Sequence, residues 1–416
     1  MRNIAVLGYG VVGSGVVEVL ETGRESISRK AGDEIRVRKI LDIRDFPDSP
    51  DSELITKNPD DVFGDDSINI VVETIGGTRI AHEYTRKAFG LRKHVVTSNK
   101  ELVATHGPEL LKLAADNGVN YLFEASVGGG IPIIRPLNQC LAANVINGVT
   151  GILNGTTNYI LTQMRKEGKD FAEALKGAQQ NGYAEADPSA DIEGRDACRK
   201  IAILSSIAYN QFVDCANIYT EGITRISPGD MLYAESMDHV IKLIAISKRV
   251  GDRIFARVSP AMISRQHPLA NVEDVFNGIV VKGDAIGDAM FYGRGAGKLP
   301  TASAVVADII DIVRHIDSGS GNIWERKDYN NVVDAGENET RFFVRVMTRN
   351  SEEALRFVQK TFGNVEVVRL NRQEFKDELA FTTEKALESK LSTGVKALQG
   401  IGSIKDVINV IRIEEE

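Results

Sequence analysis

Short apolar runs alternate with helical periodicity through the first third of the chain. The run 3–7 leads directly into GYGVVG at 8–13, and an apolar helical stripe follows through Val16, Val17, Val19 and Leu20. Further runs predict strands at 36–42, 68–73, 93–97 and 121–123, with helices such as 80–89 and 108–117 between them. This alternation predicts an α/β fold with a parallel, doubly wound sheet of the Rossmann type.

The glycine-rich turn at 8–13 lies between a predicted strand and a predicted helix. In this context Gly8, Gly10 and Gly13 permit a tight turn and a close approach of backbone to a pyrophosphate. The helix N-terminus adds N–H donors and the positive end of the helix dipole. A glycine turn after a strand is also common without any ligand, but the strand before it and the helix after it favour a dinucleotide site.

Polar and small residues follow the other predicted strands. In a parallel sheet the ligand lies beyond the carboxyl ends of the strands. Thr74, Ser98 and Lys100 stand at those ends and are candidates for the cofactor side of the site.

The second predicted strand ends at Asp42, where a carboxylate can bind a free ribose 2′-hydroxyl and repel a 2′-phosphate. Arg44 follows two residues later and could instead pair with that phosphate. Asp42 is also farther from the glycines than the usual spacing of about 20 residues. A solvated turn is an equal alternative, so the sequence leaves NAD and NADP both open.

The segment 178–200, AQQNGYAEADPSADIEGRDACRK, is crowded with ionisable side chains. Asp196 and Lys200 lie four residues apart on a predicted helix, with the acidic residue first, which is the favourable order for an ion pair. Taken alone, the pair is most simply a surface salt bridge.

Composition narrows the class of protein. The chain has 416 residues and a net charge of −8, enough for two or three domains, and the acidic balance disfavours nucleic acid and anionic membranes as partners. Three cysteines in odd number favour reduced thiols in the cytoplasm, and the start of the chain has no signal-peptide pattern. The six histidines and three cysteines show no zinc-site spacing, so no such cluster is expected.

The acidic segment and several other blocks together resemble the homoserine dehydrogenases. The family signature runs through Ala178, Gly182, Tyr183, Ala184, Asp187, Pro188, Asp191, Ile192, Gly194, Asp196 and Lys200. GYGVVG, TSNKELVATHG, EASVGGGIPII, GILNGTTNYIL and GRGAGKLPTASAVVAD follow the family's order, so the resemblance extends from about residue 3 to 312. It implies an NAD(P)-dependent oxidoreductase that interconverts L-homoserine and L-aspartate 4-semialdehyde, in threonine, methionine and isoleucine biosynthesis.

The resemblance also implies roles for particular residues. Lys200 would move the proton at the substrate oxygen, with Lys100 a second active-site lysine near the nicotinamide. Substrate would be bound by Glu185, Asp191 and Asp196. The cofactor site would be completed by Val11, Val12, Gly182 and Gly297. A monovalent cation, usually sodium in the family, would lie on Glu124, Val127, Gly129 and Ile131, largely through backbone carbonyls.

The resemblance divides the chain into domains and implies a homodimer paired through the central one. The expected units are a dinucleotide-binding domain at 1–130 with a return helix at about 300–315, an α+β substrate-binding and dimerisation domain at 131–299, a linker at 318–340 and a βαββαβ unit at 341–416. The last unit resembles an ACT domain, an amino-acid-sensing module. TRNSEEAL replaces its usual Asp-x-Pro-Gly turn, so an effector domain and a purely structural tail both remain open.

Three alternative functions remain. A related dehydrogenase for another amino-acid alcohol would keep the glycine turn and Lys200 without needing both Glu185 and Asp196. An acylating semialdehyde dehydrogenase would need a nucleophilic cysteine. A nicotinamide-binding sensor would not need Lys100 and Lys200, since it transfers no proton.

Overall fold

The first sheet is parallel, as the alternating pattern predicted, and it has six strands, one more than the pattern predicted. The computed structural model describes residues 1–318 and 323–415. The sheet has the order β3-β2-β1-β4-β5-β6. Its strands are β1 (Arg2–Leu7), β2 (Ile35–Leu41), β3 (Ile55–Thr56), β4 (Ile68–Glu73), β5 (His94–Thr97) and β6 (Tyr121–Leu122). The helices of this region are α1 (Val11–Thr22), α2 (Arg24–Ala31), α3 (Asp60–Phe63), α4 (Arg79–Gly90) and α5 (Lys100–Asp116).

The fifth helix starts eight residues before the predicted position. Asn99 caps its N-terminus, because the side-chain oxygen accepts a hydrogen bond from the backbone N–H of Leu102 at 3.0 Å. Pro108, taken in the sequence as the helix start, lies inside α5. The earlier start sets Lys100 on the first turn of the helix, at the carboxyl end of the sheet.

The second sheet is mixed and larger. Among the described residues it has twelve strands, and the main path follows the order β12-β11-β7-β9-β10-β18-β14-β16-β15. The strands are β7 (Ile146–Ile152), β8 (Tyr219–Thr220), β9 (His239–Val250), β10 (Arg253–Ser264), β11 (Phe276–Gly283), β12 (Gly287–Arg294), β13 (Val332–Val333), β14 (Glu339–Thr348), β15 (Val365–Val368), β16 (Glu378–Thr383), β17 (Ala386–Leu387) and β18 (Ile404–Glu414).

Eight further helices follow α5 in the described ranges. They are α6 (Gly155–Glu167), α7 (Phe171–Gln180), α8 (Ser189–Ile192), α9 (Arg195–Tyr209), α10 (Pro228–Ser236), α11 (Lys298–Arg314), α12 (Ser351–Phe362) and α13 (Glu388–Leu398). A capping box of Asp170 and Glu173 opens α7. Asn154 caps α6, and its side chain accepts a hydrogen bond from the Thr157 N–H.

Helix α11 returns to the first sheet. Its buried residues Ala302, Val305 and Ile309 share an apolar core with Val16 and Val17 of α1. The chain therefore crosses between the two sheets three times, and residues of the first two crossings line the cleft between them. None of the helices within 1–318 and 323–415 is long and apolar enough to span a bilayer.

The C-terminal unit has the predicted βαββαβ order, but its sheet is continuous with the central one. Strand β18 pairs parallel with β10 and antiparallel with β14. Buried Arg345 of β14 reinforces the junction, with its guanidinium 2.6 Å from Asp230 of α10 and 2.9 Å from Glu378 of β16. Removing one partner of such a buried set typically costs about 3–5 kcal/mol.

The segment predicted as a linker is packed against the body of the protein where the structure describes it. Residues 319–322 of that segment lie outside the described residues. Trp324 is buried with an edge-on contact to Phe123 at 5.8 Å, and β13 adds to the sheet beside β10. The polar composition of the segment gave no sign of this anchoring.

Trp324 packs directly on Gly107 in the interior of α5, so we expect Gly107→Ala to lower stability. A Cβ at this position would overlap the indole ring. Alanine gains about 1 kcal/mol of helix propensity over glycine, whereas overpacking costs about 1–3 kcal/mol. Urea unfolding should show a net loss of about 1 kcal/mol. Gly90→Ala on α4, where a Cβ meets nothing, is the matched control and should be neutral or stabilising. Equal stability of the two variants would argue against the Trp324 contact.

Candidate active site

A cleft of about 700 Å³ opens where the carboxyl ends of the parallel strands face α6 and α9. It brings together most of the residues that the sequence singled out. Those lining it are Val11, Val12, Ser98, Lys100, Val127, Gly129, Gly182, Glu185, Asp191, Asp196, Lys200 and Gly297. Six others do not line it: Gly8, Gly10, Gly13, Thr74, Glu124 and Ile131.

A buried carboxylate joins two lysines at the base of the cleft. Asp196, on the first turn of α9, places its Oδ1 2.7 Å from Lys100 Nζ and its Oδ2 2.8 Å from Lys200 Nζ. The Asp196 side chain is 5% exposed and that of Lys200 9%, against 40% for Lys100. Lys200 Nζ also donates to the Leu153 carbonyl at 2.7 Å. The pair that indicates a surface salt bridge in isolation therefore belongs to a cluster in which Asp196 and Lys200 are buried and Lys100 is partly exposed.

The negative charge of Asp196 and the positive charges of the two lysines stabilise one another. Burial raises the pKa of Asp196, but the charges of Lys200 and Lys100 outweigh it and hold that pKa well below its usual range. Burial likewise lowers the pKa of Lys100, and the Asp196 charge more than reverses this, leaving it above the ordinary value. Asp196 therefore stays ionised, and Lys100 keeps its proton.

Asn154 belongs to the site and was missed in the sequence analysis. Its amide nitrogen donates to Asp191 Oδ1 at 2.7 Å and to Asp196 Oδ2 at 2.9 Å, while its oxygen caps α6. Burial and the nearby Asp196 charge raise the pKa of Asp191. An Asn directly after an apolar strand was the available signal, but the capping role alone would have explained it.

The glycine turn fits a pyrophosphate. A Cβ at Gly13 would overlap the Gly8 carbonyl, so only glycine permits this turn. The N-terminus of α1 has no side-chain cap, which leaves its N–H groups free for an anion. Thr74 stabilises the turn, because its hydroxyl donates hydrogen bonds to the Leu7 and Gly8 carbonyls, both at 2.9 Å.

Asp42 and Arg44 form an ion pair beside the glycine turn. The Asp42 carboxylate accepts hydrogen bonds from the Tyr9 N–H at 2.7 Å, the Arg44 N–H at 2.9 Å, and the Arg44 guanidinium at 3.0 and 3.1 Å. These bonds, above all those from the guanidinium, lower the pKa of Asp42 to about 2. Arg44 remains 59% exposed, lies over the ring of Phe46, and would be 3.9 Å from a Cβ at Gly10.

The outer wall of the cleft is the turn that follows α7. Gly182 adopts a positive φ of 71°, and the Tyr183 carbonyl accepts a hydrogen bond from the Thr156 hydroxyl at 2.6 Å. Glu185 is exposed on this turn and makes no ion pair within the described residues. Its carboxylate is therefore available to a cationic group in the cleft.

The segment at 124–131 connects the two sheets beside the cleft. The Glu124 carboxylate accepts three backbone hydrogen bonds, from Ile133, Ile134 and Arg135 at 2.6–2.8 Å. Its side chain is thus fully engaged, and only backbone carbonyls of this segment are available to a cation. Asp308 of α11 accepts from the Glu124 N–H at 2.8 Å and ties the segment to the return helix.

One group of possible metal ligands was not anticipated from the sequence. Helices α4 and α5 bring His82, His106 and Glu109 together, with all three ligand atoms within 4.8 Å of one another. This cluster could not be predicted from the sequence, because His82 lies on a different helix from His106 and Glu109. The cluster does not line the cleft.

Family comparisons agree with the geometry. The family model described as "Homoserine dehydrogenase, NAD binding domain" matches residues 8–124, and that described as "Homoserine dehydrogenase" matches residues 132–310. The chain is 40% identical to a homoserine dehydrogenase of Synechocystis sp., with 99% of both chains covered. It is 37% identical to that of Neisseria gonorrhoeae, over 99% of this chain and 98% of the relative.

Solved structures give the same result. The crystal structure of a homoserine dehydrogenase from Thiobacillus denitrificans superposes with a TM-score of 0.90 at 36% identity, covering 100% of this chain and 98% of that one. A hyperthermophilic archaeal homoserine dehydrogenase in complex with NADPH gives a TM-score of 0.64 at 30% identity, covering 74% and 97%. The chain belongs to the homoserine dehydrogenase family and is an NAD(P)-dependent oxidoreductase that interconverts L-homoserine and L-aspartate 4-semialdehyde.

Proposed function

We propose that Lys200 moves the proton in this reaction. The observation that carries the proposal is the attachment of its ammonium group to both Asp196 and the Leu153 carbonyl within the cleft. An ammonium group has three N–H donors, and these two contacts use two of them. The third donor is free to meet a substrate oxygen. A bound nicotinamide would supply or accept the hydride. Lys200 would give its proton to the substrate oxygen in aldehyde reduction and, as a neutral amine, would take up the hydroxyl proton in homoserine oxidation.

The remaining polar residues of the cleft match the other parts of the substrate. Lys100 stays protonated beside Asp196 and is half-exposed to the cleft, so it stabilises negative charge on a substrate oxygen or carboxylate. Glu185 and Asp191 are carboxylates suited to the substrate ammonium group. Lys200 is suited to this role because Asp196 and the Leu153 carbonyl hold its nitrogen in one place, while Asn154 holds Asp196.

The cysteines disfavour an acylating dehydrogenase. No cysteine is among the residues that line the described cleft. Cys198 is buried on α9, where it contacts the Cys215 carbonyl, and burial raises the pKa of its thiol to about 11. A nucleophile for acyl transfer needs an accessible thiolate.

We further propose that the enzyme prefers NADP(H) to NAD(H). All four hydrogen bonds to the Asp42 carboxylate come from Tyr9 and Arg44, so little acceptor capacity remains for a ribose 2′-hydroxyl. The exposed Arg44 guanidinium faces the glycine turn and can pair with a 2′-phosphate.

A monovalent cation, sodium as the first candidate, is proposed on the carbonyls of Glu124, Val127, Gly129 and Ile131. The support is that the Glu124 carboxylate is occupied, while Val127 and Gly129 line the cleft. A hard cation accepts such backbone oxygens. Activity that is unchanged when sodium and potassium are replaced by choline would exclude this role.

A homodimer and an ACT-like C-terminal unit are also proposed. A concavity of about 410 Å³ on the central sheet, lined by Ile246 and Val280 among mainly polar and charged side chains, is the surface that we assign to a second copy. Residues 341–416 show the βαββαβ order, and Asn350 caps α12 where the ACT turn is replaced. A monomeric mass by sedimentation equilibrium would exclude the dimer.

The expected domain boundaries and a cytoplasmic location remain part of this proposal.

Lys200→Met tests the proton-transfer role. The change removes the proton carrier but leaves Asp196 paired with Lys100, so we expect kcat for homoserine oxidation to fall about 10²- to 10⁴-fold. The dissociation constant for NADPH, measured by fluorescence, should stay close to the wild-type value. Lys112→Met, an exposed lysine on α5, is the control and should keep full activity. A folded Lys200→Met enzyme that retains most of its kcat would refute the assignment.

Arg44→Ala tests the cofactor preference. Loss of a charge-assisted contact to the 2′-phosphate should raise KM for NADP about 10- to 100-fold. KM for NAD should hold or fall, because Asp42 is freed to bind the ribose. Arg36→Ala, an exposed arginine on β2, serves as the control. If both KM values change by the same factor, Arg44 does not read the phosphate.

A further inference from the structure

A second polar cluster lies on the first domain, between α4 and α5. His82 Nε2 is 3.1 Å from Glu109 Oε2, and His106 Nδ1 is 3.8 Å from the same oxygen. The two imidazole rings lie 4.0 Å apart between centroids, at an interplanar angle of 26°. The His82, His106 and Glu109 side chains are 21%, 30% and 47% exposed. The cluster is thus partly sheltered and open to solvent on one side.

The donor set identifies the class of ion. Two imidazole nitrogens and one carboxylate oxygen suit zinc and its neighbours in the transition series, whereas magnesium and calcium prefer oxygen ligands alone. Ligand atoms of a tetrahedral zinc site lie about 3.4 Å apart, given bonds of about 2.0–2.1 Å. The separations from Glu109 Oε2, 3.1 and 3.8 Å, bracket this value.

The surroundings of the cluster are compatible with an ion. Arg86 Nε lies 3.4 Å from Glu109 Oε1, the oxygen that the histidines do not contact, so it can orient the carboxylate while Oε2 remains for the ion. The near-parallel rings must splay apart for both lone pairs to meet one ion. Partly exposed side chains at a helix pair permit this rotation.

We propose that His82, His106 and Glu109 bind one divalent transition-metal ion of the zinc class, with water completing the coordination. The ion would join α4 to α5, the helix whose first residue is Lys100. It lies outside the cleft and takes no part in hydride or proton transfer. Its effect is to stabilise the pairing of the two helices, because a ligand that binds only the folded state stabilises that state.

A hydrogen-bonded cluster without a metal is the competing explanation. His82 Nε2 and Glu109 already form a hydrogen bond at 3.1 Å. The acidic turn at the cleft, with Glu185 and Asp187, could also hold a divalent ion weakly. The experiment must therefore separate these sites by substitution.

Calorimetric titration of the untagged full-length enzyme with zinc, after chelator treatment, tests the proposal. The wild type should bind one equivalent, and His82→Ala and His106→Ala should each weaken binding at least tenfold. His315→Ala removes an exposed histidine elsewhere and should bind as the wild type does. With cobalt, wild type and control should show the visible bands of a tetrahedral site that both variants lose. Zinc should raise the thermal midpoint of the wild type but not of the variants.

Two other outcomes would contradict the proposed metal site. Absence of saturable zinc binding by the wild type would overturn it and leave the hydrogen-bonded cluster. Equal binding by wild type, His82→Ala and His106→Ala would place the ion elsewhere. Homoserine oxidation measured on the same variants reports that they are folded, since neither histidine lines the cleft.

Discussion

The active site depends on one buried carboxylate. Asp196 is almost inaccessible to water, and two lysine ammonium groups lie within 2.8 Å of its oxygens. The burial of the Lys200 ammonium group depends on this carboxylate, since an unpaired charge in a protein interior costs several kcal/mol. Asp196 in turn remains ionised only because both lysines face it. Lys100 lies on α5, which packs with the first sheet, and Lys200 lies on α9, which packs with the second. This carboxylate therefore fixes the two halves of the cleft relative to each other.

The fold supplies the positions that this arrangement needs. Strand β5 ends at Thr97, whose hydroxyl donates to the buried Glu73 carboxylate at 2.5 Å, and Asn99 then caps α5 and presents Lys100. Strand β7 ends near Leu153 and Asn154, which contact Lys200 and Asp196. The carboxyl ends of β5 and β7, strands of two different sheets, therefore meet at one charge cluster. Continuous pairing of β10 with β18 fixes the C-terminal unit to the same body.

The sequence predicted the first sheet well because parallel strands are continuous apolar runs between regular helices. The glycine turn was found from its position between a strand and a helix. Asp196 and Lys200, whose spacing alone indicates a surface salt bridge, were placed in the site through the resemblance to the family. Contacts between distant segments could not be predicted in this way. Trp324 against Gly107, the shared sheet at β18 and the meeting of His82 with His106 all depend on packing that no local pattern encodes. Asn154 was missed because its partners Asp191 and Asp196 lie on a distant segment of the chain.

The most direct measurement is the turnover of an Asp196→Asn enzyme with homoserine, beside its affinity for NADPH. Asparagine keeps the shape of the side chain and removes its charge, so both lysines lose their shared counterion while the glycine turn is untouched. The account predicts that kcat falls at least about 100-fold, the lower range for a general acid–base residue, while the NADPH dissociation constant stays within a few fold. Near-normal kcat in the folded variant would contradict the central role of this carboxylate.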